Sequence, residues 1–311
     1  LKSDYGDRFR RESRIMQRFR EPCFTQFIDY FETGAAGTRE AFLVMEFLPG
    51  MPGSSLRDAI KRHRNMPLPG SDVLKAFRRY AHGLSVMHKQ GVFHRDIKPA
   101  NLYYPEGHPE GAVIMDMGIV RDTGGTATQG QVPGTLDYMP PEIVTVGGRG
   151  DAGMDIYALG LCLYEALTGK MGYERLPSGT AAFGAFYSRA QSLVPPRFDD
   201  PEIVCRPSVL DLLCRMTAPD RRKRLSDASA VERILAGISW DGAASRKTDP
   251  VRVQRVDGRS ADIDASRTRR PLPDDPPTVD TAPTGGREPQ HPQRDSARAE
   301  SIHEIVIFSL K

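Results

Sequence analysis

Apolar and polar positions follow two different periods along residues 1–239, and each period marks a different kind of element. Over residues 7–19, Phe9, Met16 and Phe19 share one face and Arg8, Arg11, Arg14 and Arg18 cover the rest, which predicts an amphipathic helix. Residues 24–31 and 41–47 predict two strands, joined by the Gly-containing hairpin loop TGAAGTRE. Ser71 is expected to cap a long helix that buries Val73, Leu74, Phe77, Ala81 and Leu84 and stops at Gly91. Two short strands are expected near residues 102–104 and 112–115, with a Pro/Gly-rich turn between them. Beyond residue 150 the period is helical, over 153–168, 179–191, 207–216 and 226–236. Strands in the first half and helices in the second predict an α+β fold.

This patterning stops near Trp240. Residues 241–311 carry twelve basic and twelve acidic side chains, eight prolines and a single aromatic, Phe308. Over 267–298 no apolar period is visible. Such a segment has too little apolar surface to offset its ordering entropy, so 240–311 is expected to be a disordered Pro- and charge-rich tail. Ile305, Val306, Ile307 and Phe308 make a short apolar run at its end, readable as a stray strand or as the start of a further segment.

Composition narrows the function classes. The 311 residues are 39% hydrophobic and 27% charged, with a net charge of +3, ordinary globular values. So weak a charge gives no case for a nucleic-acid binder. No run approaches the ~18 apolar residues of a membrane helix, and no secretory leader is visible. Cys23, Cys162, Cys205 and Cys214 lack the short paired spacing of zinc sites and are read as reduced thiols, which points to the cytoplasm. The chain starts at Leu1 rather than Met, so it is read as a fragment.

Three blocks carry the chemistry. They are His94-Arg95-Asp96-Ile97-Lys98-Pro99-Ala100-Asn101, then Asp116-Met117-Gly118, then Gly134-Thr135 followed by Pro140-Pro141-Glu142. Each alone is a weak signal. In this order and spacing the chain resembles the eukaryotic-like serine/threonine protein kinases of the bacterial type, whose signatures are H-R-D-x4-N, D-F-G and A-P-E. The resemblance covers residues 4–237. It implies a protein-kinase-like fold, with a partial β-rich small lobe and a mainly α-helical large lobe, over a catalytic domain at 1–239.

Phosphoryl transfer depends on positioning and charge neutralisation, and the resemblance assigns residues to each task. Asp96 matches the carboxylate that orients the attacking hydroxyl and takes its proton. Asn101 and Asp116 match the hard oxygen ligands of Mg²⁺. Lys98 matches the cation beside the transferred phosphoryl, and Thr135 is counted with the catalytic set. Glu12 matches the glutamate that pairs a phosphate-binding lysine. Met45 matches the gatekeeper, the backbone of Glu46 and Leu48 the adenine partners, and Tyr103 the adenine floor. Asp155 matches the buried anchor of the catalytic loop, and Glu142 with Arg224 the ion pair closing the activation segment. Met16, Phe27, His94 and Met117 match a hydrophobic column. Arg95 beside Asp96 implies control by a phosphate, with Thr123, Thr126 and Thr128 the candidate acceptors.

The chain also departs from the pattern. Met117 replaces Phe, Pro140 replaces Ala, and Tyr103 stands where an aliphatic residue is usual. No G-x-G-x-x-G loop and no V-A-I-K strand lies upstream of Glu12, and Lys2 is read as a residue just past the pairing lysine. The expectation is therefore an N-terminally truncated kinase acting in signalling. It would transfer the ATP γ-phosphate to Ser/Thr hydroxyls of protein substrates, weakly as this fragment. A homodimer for trans-autophosphorylation is a further expectation, and an anchor to the membrane would lie beyond the fragment. The alternatives are a pseudokinase scaffold and a small-molecule phosphotransferase.

Overall fold

The computed structural model describes residues 10, 13–34, 40–116, 136–144, 151–179, 181–240 and 305–310. The chain divides into two units. One comprises Leu1–Ala244 with His303–Lys311, and the other, Ser245–Ile302, lies outside the described residues.

The first unit has a small sheet and a helical body. Strand β1 (Phe27–Thr33) pairs antiparallel with β2 (Glu40–Glu46), from Thr33↔Glu40 to Phe27↔Met45, with an irregularity between Phe27 and Asp29. These strands match the expected hairpin, with β1 starting three residues later and ending two residues later than expected. The chain enters the sheet from a helical turn at residues 13–16, and there Met16 and Phe19 are buried as the amphipathic pattern requires. Phe9 of the same expected helix lies outside the described residues.

Helix α1 (Leu56–Arg62) was not legible as an expectation. Ser55 caps it, accepting the Asp58 N–H while the Asp58 carboxylate accepts the Ser55 N–H. The long helix α2 (Gly70–Lys89) buries Val73, Leu74, Phe77, Ala81 and Leu84 as expected. Its start differs, because Pro69 holds the N-cap position without a side-chain bond and Ser71 sits inside the first turn. Proline supplies a suitable φ there and sets the boundary ahead of Ser71.

Strands β3 (Leu102–Tyr103) and β4 (Val113–Ile114) form the expected second hairpin. Ile114 then bonds Cys23 and Thr25 through its backbone, which ties this hairpin to the entrance of the first sheet. Helix α3 (Ala152–Thr168) is buried at every residue from Gly153 to Thr168, and its apolar surface runs all round. It is the central rod of the body. Asp151 caps its start, and Gly169, at φ 70°, ends it where only glycine can approach the Asn65 backbone. Around it lie α4 (Ala181–Gln191), α5 (Pro201–Val204), α6 (Pro207–Met216) and α7 (Ala228–Gly237). Among the described residues, no helix is long and apolar enough to cross a membrane.

The expected tail needs one correction. Strand β5 (Ile305–Leu310) pairs antiparallel with β2, from Ala41↔Leu310 to Glu46↔Ile305. The apolar run at 305–308 thus supplies a third strand, because an unpaired β2 edge offers backbone partners to any apolar strand within reach. Residues 241–304 lie outside the described residues.

Trp240, the last described residue before that gap, packs over Gly70 with the Arg206 guanidinium 3.9 Å from its ring centroid. A Cβ at Gly70 would fall inside the indole ring. Replacing Gly70 by Ala is therefore expected to displace Trp240 and cost about 1–3 kcal/mol. Trp240 is the sole tryptophan, so its emission reports the site directly. The expected result is a red-shifted emission and a melting point lower by about 2–4 °C for each kcal/mol lost. Unchanged emission and melting would contradict this packing.

Candidate active site

Asp155 sits on α3 and is 1% exposed. A carboxylate taken from water needs donors in compensation, and this one has three. Its Oδ1 accepts the Arg95 N–H at 2.7 Å, its Oδ2 accepts the His94 N–H at 2.9 Å, and His88 Nε2 lies 2.9 Å from Oδ2. The two backbone bonds hold Arg95 at φ 63°, the left-handed region that side chains other than glycine rarely occupy. His88 completes the set and was missed from sequence. Its link to Asp155 spans 67 positions, so no local pattern marks it.

The loop that Asp155 holds is bonded internally. Lys98 Nζ donates to Asp96 Oδ2 at 2.8 Å, and Asn101 Nδ2 donates to Asp96 O at 2.9 Å and to Asp96 Oδ2 at 3.1 Å. Asp96, Lys98 and Asn101 therefore converge, as their spacing predicts. The His94 ring is fully buried and works in two directions. Its Nδ1 accepts the Asp96 N–H at 3.3 Å, and its Nε2 lies 3.2 Å from Met115 O, a pairing that assigns the proton to Nε2. The Met115 N–H donates to Asn101 O at 2.9 Å. These bonds fasten the end of β4 to the loop, one residue before Asp116, whose side chain is exposed at φ 48°.

The donor set suits magnesium. Asn101 spends its amide N–H groups on Asp96, which leaves Oδ1 as a hard oxygen, and Asp116 adds an exposed carboxylate. Among the described residues there is no cluster of three or more His, Cys, Asp or Glu side chains that could cage a metal. Magnesium characteristically takes one or two protein oxygens and completes its shell with phosphates and water, and the Asn101 amide oxygen and the Asp116 carboxylate are oxygens of that kind.

A second apolar cluster lies beside this loop. Leu48, Tyr103 and Val113 are buried together, with Met51 and Met115 against them. The Tyr103 hydroxyl donates to Pro49 O at 2.9 Å, and the Tyr80 hydroxyl donates to Tyr103 O at 2.7 Å. The Tyr103 hydroxyl is thus pinned to the segment following β2. Met45 is 9% exposed at the end of β2. The Glu46 N–H donates to Gln26 O at 2.9 Å, while its carboxylate accepts the Gln26 N–H at 3.1 Å. Among the described residues the Leu48 N–H has no hydrogen bond, so it is open to an acceptor.

Arg224 and Glu142 form a bidentate pair, at 2.5 Å through Nη1 and 2.9 Å through Nη2. The Arg224 side chain is wholly buried, donates also to Ala218 O and Gly153 O, and lies over the Tyr157 ring. Nearby, the Tyr138 hydroxyl donates to Glu165 Oε2 at 2.5 Å. Burial pushes both groups upward, the tyrosine toward its neutral phenol and the glutamate toward its neutral acid. Met16, Phe27 and His94 of the expected column are all buried. Glu12, Met117, Thr123, Thr126, Thr128 and Thr135 lie outside the described residues.

Comparison with known proteins gives the family. Residues 1–235 match the family described as the protein kinase domain. The chain is 31% identical over 240 residues to the serine/threonine-protein kinase pkn2 of Myxococcus xanthus, covering 74% of this chain and 27% of that protein. It is 30% identical over 315 residues to the probable serine/threonine-protein kinase PknB of Bifidobacterium longum, covering 95% and 42%. It is 29% identical over 273 residues to the serine/threonine-protein kinase PknL of Mycobacterium tuberculosis, covering 84% and 61%. The chain thus spans between 27% and 61% of the length of these curated relatives. With a family match over three quarters of its residues and an α+β fold that joins a small sheet to a helical body, this chain belongs to the protein kinase domain family.

Proposed function

We propose that this chain is the catalytic region of a serine/threonine protein kinase, transferring the ATP γ-phosphate to a protein hydroxyl. The observation that carries the reading is the hydrogen-bonded set of Asp96, Lys98 and Asn101, fastened through Met115 to the segment bearing Asp116. Asp96 would accept a hydrogen bond from the substrate hydroxyl and orient it in line with the γ-phosphorus. The hydroxyl oxygen attacks phosphorus, the bond to the β–γ bridging oxygen breaks, and ADP leaves. The proton passes to the Asp96 carboxylate and then to solvent. Lys98 would balance charge on the transferred phosphoryl. Asn101 and Asp116 would hold magnesium, which when bound neutralises the phosphates. The backbone of Glu46 and Leu48 would meet the adenine edge, with Met45 behind the base and Tyr103 beneath it.

The Glu142–Arg224 pair supports a protein substrate over a small molecule, since it steadies the segment that follows Thr135 and Tyr138. Names of the relatives support the same reading, each being that of a serine/threonine-protein kinase.

The test is transfer of labelled phosphate from Mg-ATP to a Ser/Thr protein by the wild-type chain and by Asp96→Asn. The variant is expected to melt within about 1 kcal/mol of wild type. Its transfer rate should fall about 10²–10⁴-fold, the range general-base assistance supplies. Equal rates would remove Asp96 from its role. Nucleotide-dependent thermal stabilisation without any transfer by the wild-type chain would favour the pseudokinase alternative instead.

A further inference from the structure

Strand β5 joins β2 from the far end of the sequence, with residues 241–304 between it and Trp240. Its pairing is nonetheless specific. The ladder is unbroken from Ala41↔Leu310 to Glu46↔Ile305 and takes in every residue of β5. Ala41, Leu43 and Met45 alternate along β2 and are buried, and Leu43 and Met45 belong to the main core. The register positions opposite these three hold Leu310, Phe308 and Val306, all apolar. On the other face Phe42 stacks on Phe31 at 4.9 Å, and the position opposite Phe42 holds Ser309. A slip of one residue in either direction would bring Ser309 opposite a buried position, so pattern and register agree.

The same ladder reaches the nucleotide site. On its β1 side, the end of β2 is paired out of step, because the register shifts between Phe27 and Asp29, opposite Met45 and Val44. Past that shift the Glu46 N–H donates to Gln26 O at 2.9 Å. On its β5 side, Val44, Met45 and Glu46 are paired in step with Ile307, Val306 and Ile305. Two residues beyond Glu46 comes the open N–H of Leu48, and then Pro49, whose carbonyl accepts the Tyr103 hydroxyl at 2.9 Å. The backbone offered to adenine is thus suspended between the end of β2 and Tyr103. A strand end that is paired irregularly on one side depends on its other neighbour for order.

We propose that residues 305–310 are a detachable strap that regulates nucleotide binding by docking on β2. The inference rests on the protein-kinase reading and adds a means of control to its nucleotide site. With the strap docked, the segment from Glu46 to Leu48 is ordered in advance, and a nucleotide that meets it does not have to order it. Linkage makes the effect mutual, so nucleotide strengthens strap docking by the same factor that the strap strengthens nucleotide binding. The strap continues from α7 through residues 241–304, so its release interrupts none of the helices around α3.

The test uses the full 311-residue chain and Mg-ADP as the probe. Calorimetric titration compares wild type with the double variant Val306→Asp, Phe308→Asp, which sets charges opposite buried Met45 and Leu43. The variant is expected to bind Mg-ADP about tenfold more weakly, within the range of ordinary couplings. A free peptide of residues 303–311 should restore most of the affinity, and the same peptide with both Asp substitutions should not. Amide hydrogen exchange on wild type reads the reciprocal effect without any variant. Saturating Mg-ADP should slow exchange over 305–310 by a similar factor. Equal or tighter Mg-ADP binding by the variant, no rescue by the wild-type peptide, or exchange over 305–310 that is indifferent to Mg-ADP would each overturn the proposal. Should the variant fail to fold, the wild-type exchange measurement decides alone. Mg-ADP binding that is blind to the strap removes this inference and leaves the kinase reading standing, whereas absence of Mg-ADP binding by wild type removes both.

Discussion

One buried carboxylate organises the catalytic loop. Asp155 lies in the first turn of the most deeply buried helix, and its two oxygens hold the backbone of His94 and Arg95. Without those bonds the left-handed geometry at Arg95 would have little to maintain it, since such a conformation costs about 1–3 kcal/mol. With the bonds in place, His94 points its ring at Met115, and Asp96 emerges toward Lys98 and Asn101. The charge is inexpensive to bury only because its donors are backbone groups in fixed positions and an imidazole from α2. The site is therefore built from the helical body outward.

The same helix carries other parts of the site at other turns. Tyr157, two residues on, lies under the Arg224 guanidinium that pairs with Glu142, and Glu165, ten residues on, receives Tyr138. Three loops distant in sequence are thus referred to one rigid rod. This explains why α3 tolerates no polar face. Asp155, Tyr157 and Glu165 are each spent on a loop that has to be held, and the rest of its surface supplies the packing that keeps the rod still.

The parts of this architecture that were legible in the sequence are those encoded by short spacing. Asp96, Lys98 and Asn101 lie within six residues, and the loop joining them has few ways to fold. The long helices were legible because their periods are long. Other elements escaped for identifiable reasons. Helix α1 spans only seven residues and follows a stretch rich in Gly and Pro, and its capping box uses Asp58 where Glu or Gln is the stronger signal. Ser71 looked like a cap, but Pro69 starts the helix before it. The pairing of β5 with β2 joins residues some 260 positions apart, and nothing local in 305–310 specifies that partner. His88 and Glu165 look like ordinary helix residues, and their links to Asp155 and Tyr138 follow from convergence in space alone.

The central claim is that the charge of Asp155, rather than the surrounding packing, holds the catalytic loop. Asp155→Asn keeps the volume and removes both the charge and one acceptor oxygen. Residue-resolved amide hydrogen exchange on this variant and on wild type tests the claim directly. The account predicts that His94 and Arg95 lose protection by an order of magnitude or more while the amides of α2 and α3 stay protected. Undiminished protection at His94 and Arg95 in the variant would show that packing alone holds the loop and would contradict the account.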